Sequence, residues 1–109
     1  MSDNNESKQG ERIIVRVDAE LEDIIPGFLE DWKEEVRSMR ESLENNDYEP
    51  IRIIGHNMKG TAGACGFHAV TDMGADLEAA AKGKDTAVMR KTLDSLSSYF
   101  ENVEVVYEP

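Results

Sequence analysis

Arg52-Ile53-Ile54-Gly55-His56-Asn57-Met58-Lys59-Gly60-Thr61-Ala62-Gly63-Ala64-Cys65-Gly66-Phe67 carries one histidine amid glycines and regularly spaced apolar residues. At the angular spacing of an α-helix its residues sort onto two faces. Arg52, Lys59, Gly60 and Gly63 fall within about 60° of His56. Ile51, Ile54, Met58, Ala62 and Cys65 fall on the far side. The segment is therefore an amphipathic helix with its apolar stripe inward and His56 turned outward. Each of the three internal glycines, Gly55, Gly60 and Gly63, costs such a helix roughly 1 kcal/mol relative to alanine. Two of them share the histidine face, so another body must come close there.

Taken singly, these features are ordinary. A lone helix histidine is usually a surface residue, helix glycines usually permit helix packing, and an exposed lysine is usually solvated. The combination is more specific: an outward imidazole, a cation three residues on, and missing side chains four and seven residues on. A neutral imidazole is an exposed nucleophile near pH 7. If it accepts a phosphoryl group, the product carries close to two negative charges, which a lysine one turn away would partly neutralise. The gaps at Gly60 and Gly63 would let a second protein bring its reacting group within in-line distance.

The run His56-Asn57-Met58-Lys59-Gly60-Thr61-Ala62-Gly63, followed by Gly66-Phe67, resembles the signature of histidine phosphotransfer (HPt) domains of bacterial two-component phosphorelays. The resemblance extends over residues 18 to 103 and takes in Leu77-Glu78-Ala79-Ala80. It implies that His56 is the phosphoacceptor, Lys59 the charge partner of the phosphoryl group, and Gly60 the clearance residue. Gly63 and Arg52 complete the face a receiver would approach. The implied partners are response-regulator receiver domains and a hybrid histidine kinase. Catalysis would come from the receiver's aspartate and its bound Mg²⁺, so the chain itself is expected to need no cofactor and to be a phosphocarrier, not an enzyme. Gly55 stands where alanine is commoner and Met58 where leucine is frequent. Gly55 suggests a more pliable helix at the site.

Composition bounds the rest. A chain of 109 residues has room for one core, and 39 % apolar with 32 % charged residues describes a globular protein. A net charge of −11 argues against binding nucleic acid or anionic membranes. The single cysteine cannot form an internal disulfide. No stretch is apolar enough to span a bilayer, and no signal-peptide core is present. The expected location is cytoplasmic and the expected state a monomer; the complete-looking N-terminus favours a free-standing protein.

Residues 1–10 read as a disordered polar tail, with a single domain over 11–109. Glu11 to Val17 alternates Ile13, Val15 and Val17 and suits an extended segment. Asp18 is a plausible cap for a short helix over Ala19 to Ile25, which Pro26-Gly27 then breaks. A long helix from Phe28 to Asn45 carries Phe28, Leu29, Trp32, Val36, Met39 and Leu43 on one side. After the histidine helix, which Pro50 can help begin, a third runs from Ala69 to Lys82 and ends at Gly83. Asp85 caps the last, which carries Met89, Leu93, Leu96 and Phe100. Val103 to Tyr107 looks extended and could pair with Ile13 to Val17. The fold expected is all-α, an antiparallel up-down four-helix bundle with a short extra N-terminal helix.

Cys65 on the inward stripe is expected to be an unreactive thiol, and His68 is given no role. The two histidines lie twelve residues apart without a carboxylate or thiolate set at ligand spacing, so no metal site is expected. Two other functions compete with the phosphocarrier. One is a module that docks receivers without carrying phosphate, which would have no need of both His56 and Lys59. The other is an enzyme with His56 as general base, which needs a cleft that a convex helix face does not offer.

Overall fold

In the structure, a computed structural model, residues 6–9 and 12–109 are described. Four helices form a bundle: α1 (Ile25–Glu44), α2 (Glu49–Cys65), α3 (His68–Lys82) and α4 (Thr86–Asn102). α1 packs on α2 and α4, and α3 packs on α2 and α4, with α2 against α3 the most extensive contact. The core is made by the expected apolar positions. Trp32, Val36, Met39 and Leu43 come from α1, Ile51, Met58 and Ala62 from α2, Val70 and Leu77 from α3, and Met89, Leu93, Leu96 and Phe100 from α4. Trp32 is its hub, stacked on Phe28 and Phe100 and edge-on to the fully buried Phe67.

Three of the helix ends share one device. The last turns of α1, α2 and α3 are closed by Asp47 N–H to Ser42 C=O, Phe67 N–H to Ala62 C=O and Asp85 N–H to Ala80 C=O, at 2.9, 2.9 and 2.8 Å. Each closure needs a left-handed residue, supplied by Asn46 (φ 58°), Gly66 (φ 90°) and Lys84 (φ 56°). After α3 the left-handed position therefore falls on Lys84, while Gly83 keeps a negative φ. Asp85 caps α4 as expected, accepting from Val88 N–H at 3.2 Å.

Two expectations at the N-terminal end are corrected. The short helix over Ala19 to Ile25 is a single 3-10 turn, Ala19–Leu21, held by Asp18 accepting from Glu20 N–H at 2.9 Å. Pro26 does not break the chain; it lies in the first turn of α1, where its missing N–H has no intrahelical partner to lose. The fold is also not purely helical. Strands β1 (Glu6–Gln9), β2 (Arg12–Asp18) and β3 (Val103–Glu108) form a sheet in the order β1-β2-β3. β1 runs antiparallel to β2, and β2 runs parallel to β3 with Ile13 opposite Val103 and Val17 opposite Tyr107.

This sheet survives because one face joins the core. Val15 and Val17 are buried, and Ile13, Val103, Val105 and Tyr107 pack against the same cluster. On the outer face Arg12–Glu104 and Arg16–Glu108 pairs, at 2.6 and 3.3 Å, link β2 to β3. The expected tail 1–10 thus contains a strand at Glu6–Gln9, since a polar segment can still supply backbone hydrogen bonds to a neighbouring strand. The remainder of that tail, residues 1–5 and 10, lies outside the described residues, as does Glu11. Among the described residues no helix is long and apolar enough to cross a membrane.

Candidate functional site

α2 presents the two faces its spacing implies. Ile51, Gly55, Met58, Ala62 and Cys65 are buried, whereas His56 stands on the opposite side with 61 % of its side chain exposed. Ile54, expected on the apolar stripe, is half-buried against the core. Cys65 is a free buried thiol whose pKa burial pushes up, consistent with an inert side chain.

Beside His56, α3 contributes a residue to which the sequence reading assigned no role. Glu78 has only 13 % of its side chain exposed. Its Oε2 lies 3.1 Å from His56 Nδ1 and its Oε1 accepts from Lys59 Nζ at 3.0 Å. Lys82 Nζ lies 3.6 Å from Oε2, one turn along α3. The Lys59 hydrogen bond, helped by that from His56 and by the charge of Lys59, holds the Glu78 carboxyl below the usual glutamate range against the opposing effect of desolvation. Glu78 is therefore ionised near neutral pH and can only accept. In the neutral ring the proton therefore sits on Nδ1, and Nε2 is the nitrogen that keeps a free lone pair.

The remaining candidates separate. A Cβ placed on Gly60 would meet nothing within 4 Å, so the surface one turn past His56 is open. Gly63 is also exposed, but a Cβ there would touch Thr71 Oγ1 at 3.4 Å, which puts it at the α3 border. Arg52 is turned to its own helix: Nε donates to Glu49 at 3.1 Å and the guanidinium pairs with the same carboxylate. Lys59 is not a free cation awaiting a ligand, because Glu78 holds it.

Gly55 has a role its sequence context did not suggest. It lies within α2, which runs unbroken from Glu49 to Cys65, and packs against α3 at Gly74. On the other flank of α2, a shallow groove of about 120 Å³ opens between α1 and α2. Phe28, Trp32 and Met58 line it, together with Asp31, Glu35 and Asn57. Burial, with Asp31 nearby, raises the Glu35 pKa. Among the described residues no group of three or more histidine, cysteine, aspartate or glutamate side chains is arranged to hold a metal ion.

Glu78 was missed because nothing local marks it. An acidic residue four before Lys82 on a helix reads as an ordinary surface pair. Only the packing of α3 on α2 gives it two further partners. Compared with known families, the chain matches the sequence model described as Hpt domain over residues 23–105. No curated protein matches, and neither does any solved structure.

Proposed function

Because the protein belongs to the Hpt domain family of phosphorelay phosphotransfer modules, we propose that it carries a phosphoryl group on His56 between receiver domains. The observation that carries this reading is the exposed imidazole whose Nδ1 faces Glu78, which leaves Nε2 as the nucleophile. In the forward step Nε2 attacks the phosphorus of a receiver aspartyl-phosphate in line. The N–P bond forms, the acyl phosphate P–O bond breaks, and the aspartate leaves as a carboxylate. The Nδ1 proton stays where it is, and the positive charge that develops on the ring is stabilised by the Glu78 carboxylate. Return transfer to a second receiver reverses these changes.

Lys59 serves the same chemistry from one turn away. It is positioned by Glu78 in the resting protein and can turn toward the phosphoryl oxygens without crossing the core, being 39 % exposed. The open surface at Gly60 gives the receiver its approach, with Gly63 and Arg52 at the margins. The partner supplies the aspartate and its Mg²⁺; the carrier is a substrate and intermediate, not an enzyme. In the same reading the helices alternate in direction, as their connections of two to four residues favour. Residues 11–109 act as one domain, a monomer in the cytoplasm that exchanges phosphate with receivers and a hybrid histidine kinase.

The test is transfer itself. Incubation with a phosphorylated receiver and Mg²⁺ should give an acid-labile, base-stable label on this protein. His56→Gln should abolish the label while leaving helicity and melting unchanged. Normal uptake by His56→Gln would place the acceptor elsewhere.

A further inference from the structure

The backbones of α2 and α3 come close together at two glycines, Gly55 and Gly74, beside the His56–Lys59–Glu78 cluster. A Cβ on Gly55 would fall 2.8 Å from Gly74 O, 3.0 Å from Glu78 N and 3.2 Å from Leu77 Cβ. A Cβ on Gly74 would fall 2.8 Å from Gly55 O, 3.0 Å from Lys59 N and 3.3 Å from Lys59 Cα. The contacts are reciprocal, and most are to backbone, which cannot swing aside as a side chain can. Each glycine therefore abuts the main chain of one charged member of the cluster: Gly55 that of Glu78, Gly74 that of Lys59. Gly55 is also the residue before His56.

We propose that Gly55 and Gly74 are positioning residues for phosphoryl transfer, setting the α2–α3 separation at which a single carboxylate reaches both His56 Nδ1 and Lys59 Nζ. The argument is one of reach. The two Glu78 contacts, 3.1 and 3.0 Å, are near the optimum for hydrogen bonds to a charged group and span from one helix to the other. Alanine is the commoner residue before the histidine in the family, but in this chain the two backbones already meet at Gly55 and Gly74, so a methyl group at either pushes them apart by a fraction of an ångström or more. The carboxylate oxygens cannot then meet both partners at once, and His56 loses the acceptor that holds its proton on Nδ1. Unlike Gly60, whose missing side chain leaves space for a partner, these two are buried and act through Glu78. Helix stability alone would favour alanine at both positions.

The inference rests on the phosphocarrier reading, and the experiment separates the two. Gly55→Ala and Gly74→Ala are compared with wild type and with Gly27→Ala, where the added methyl meets nothing within 4 Å. In the unphosphorylated protein, ¹⁵N chemical shifts of the His56 ring give the fraction protonated on Nδ1. The wild type and Gly27→Ala should be mainly the Nδ1–H form, and the two cluster variants should shift toward Nε2–H. In single-turnover transfer assays the same two variants should lose maximal transfer rate on the order of tenfold or more with little change in the receiver concentration that gives half of it, because the outer face is untouched. On a Glu78→Ala background, where no acceptor reaches His56 or Lys59, adding Gly74→Ala should have little further effect. A folded Gly74→Ala protein with wild-type ring shifts and maximal transfer rate would overturn the proposal. If neither alanine variant can be held folded even in trimethylamine N-oxide, which favours compact states, the glycines only hold the bundle together and the proposal also fails. Absence of label on wild-type His56 would instead sink the carrier reading, whatever the ring shifts show.

Discussion

Glu78 ties the site together, and its charge makes a pH dependence. Its folded pKa is depressed, with the Lys59 hydrogen bond the first cause, so ionised Glu78 stabilises the native state. That contribution is complete above the ordinary glutamate value and is lost as pH falls through the lower folded value. Wild type and Glu78→Gln should therefore differ in urea midpoint at neutral pH and converge in acid; a gap that stays constant on acidification would contradict the assignment. Lys59→Ala tests the cation separately. It should slow transfer or shorten phosphohistidine lifetime by on the order of 1 kcal/mol, because the ammonium is partly exposed and screened by salt. Its readout is single-turnover transfer from a labelled receiver.

Each helix has local features that can be changed without touching the others. On α2, Gly60→Leu places a bulky side chain in open space beside His56. The helix should gain about 0.8 kcal/mol in propensity while transfer is severely hindered. Thermal melts together with transfer rates read both effects, and an unfolded Gly60→Leu protein would mean that this face is packed. At the end of α3, Lys84 is held at φ 56°, which costs a side-chain-bearing residue roughly 1–2 kcal/mol. Lys84→Gly should relieve that strain and raise stability by about 0.5–1 kcal/mol after the extra flexibility of glycine in the unfolded chain is counted. Asn46→Gly at the corresponding position after α1 should change stability less, because asparagine tolerates this conformation. Urea denaturation of the two variants distinguishes them.

At the scale of the molecule, the aromatic hub joins elements that carry the site to elements that do not. Trp32 of α1 contacts Phe67 between α2 and α3 and Phe100 of α4. Trp32→Ala should cost about 3–5 kcal/mol and lower the melting temperature of the whole bundle, with no loss confined to one helix. Scanning calorimetry should then show one cooperative transition at lower temperature; two separated transitions would show that the helices do not share one core.

The helical period of α2 was enough to set His56 opposite Met58 and Ala62, and the periods of α1, α3 and α4 were enough to name most of the core. These are properties of 3.6-residue repeats, which local sequence carries by itself. The Asp85 cap was legible for the same reason, since its bond reaches only three residues ahead. Tertiary structure decided what depends on contacts between distant segments. Glu78 joined the site only because α3 lies against α2, and Gly55 became a packing glycine only because Gly74 faces it. The strand at Glu6–Gln9 has no apolar alternation to announce it and forms through backbone pairing with β2, which in turn pairs with β3 from the far end of the chain. Residue type and period determined which surface carries the exposed histidine; the distance between two helices, which no local pattern encodes, decided how that histidine is held.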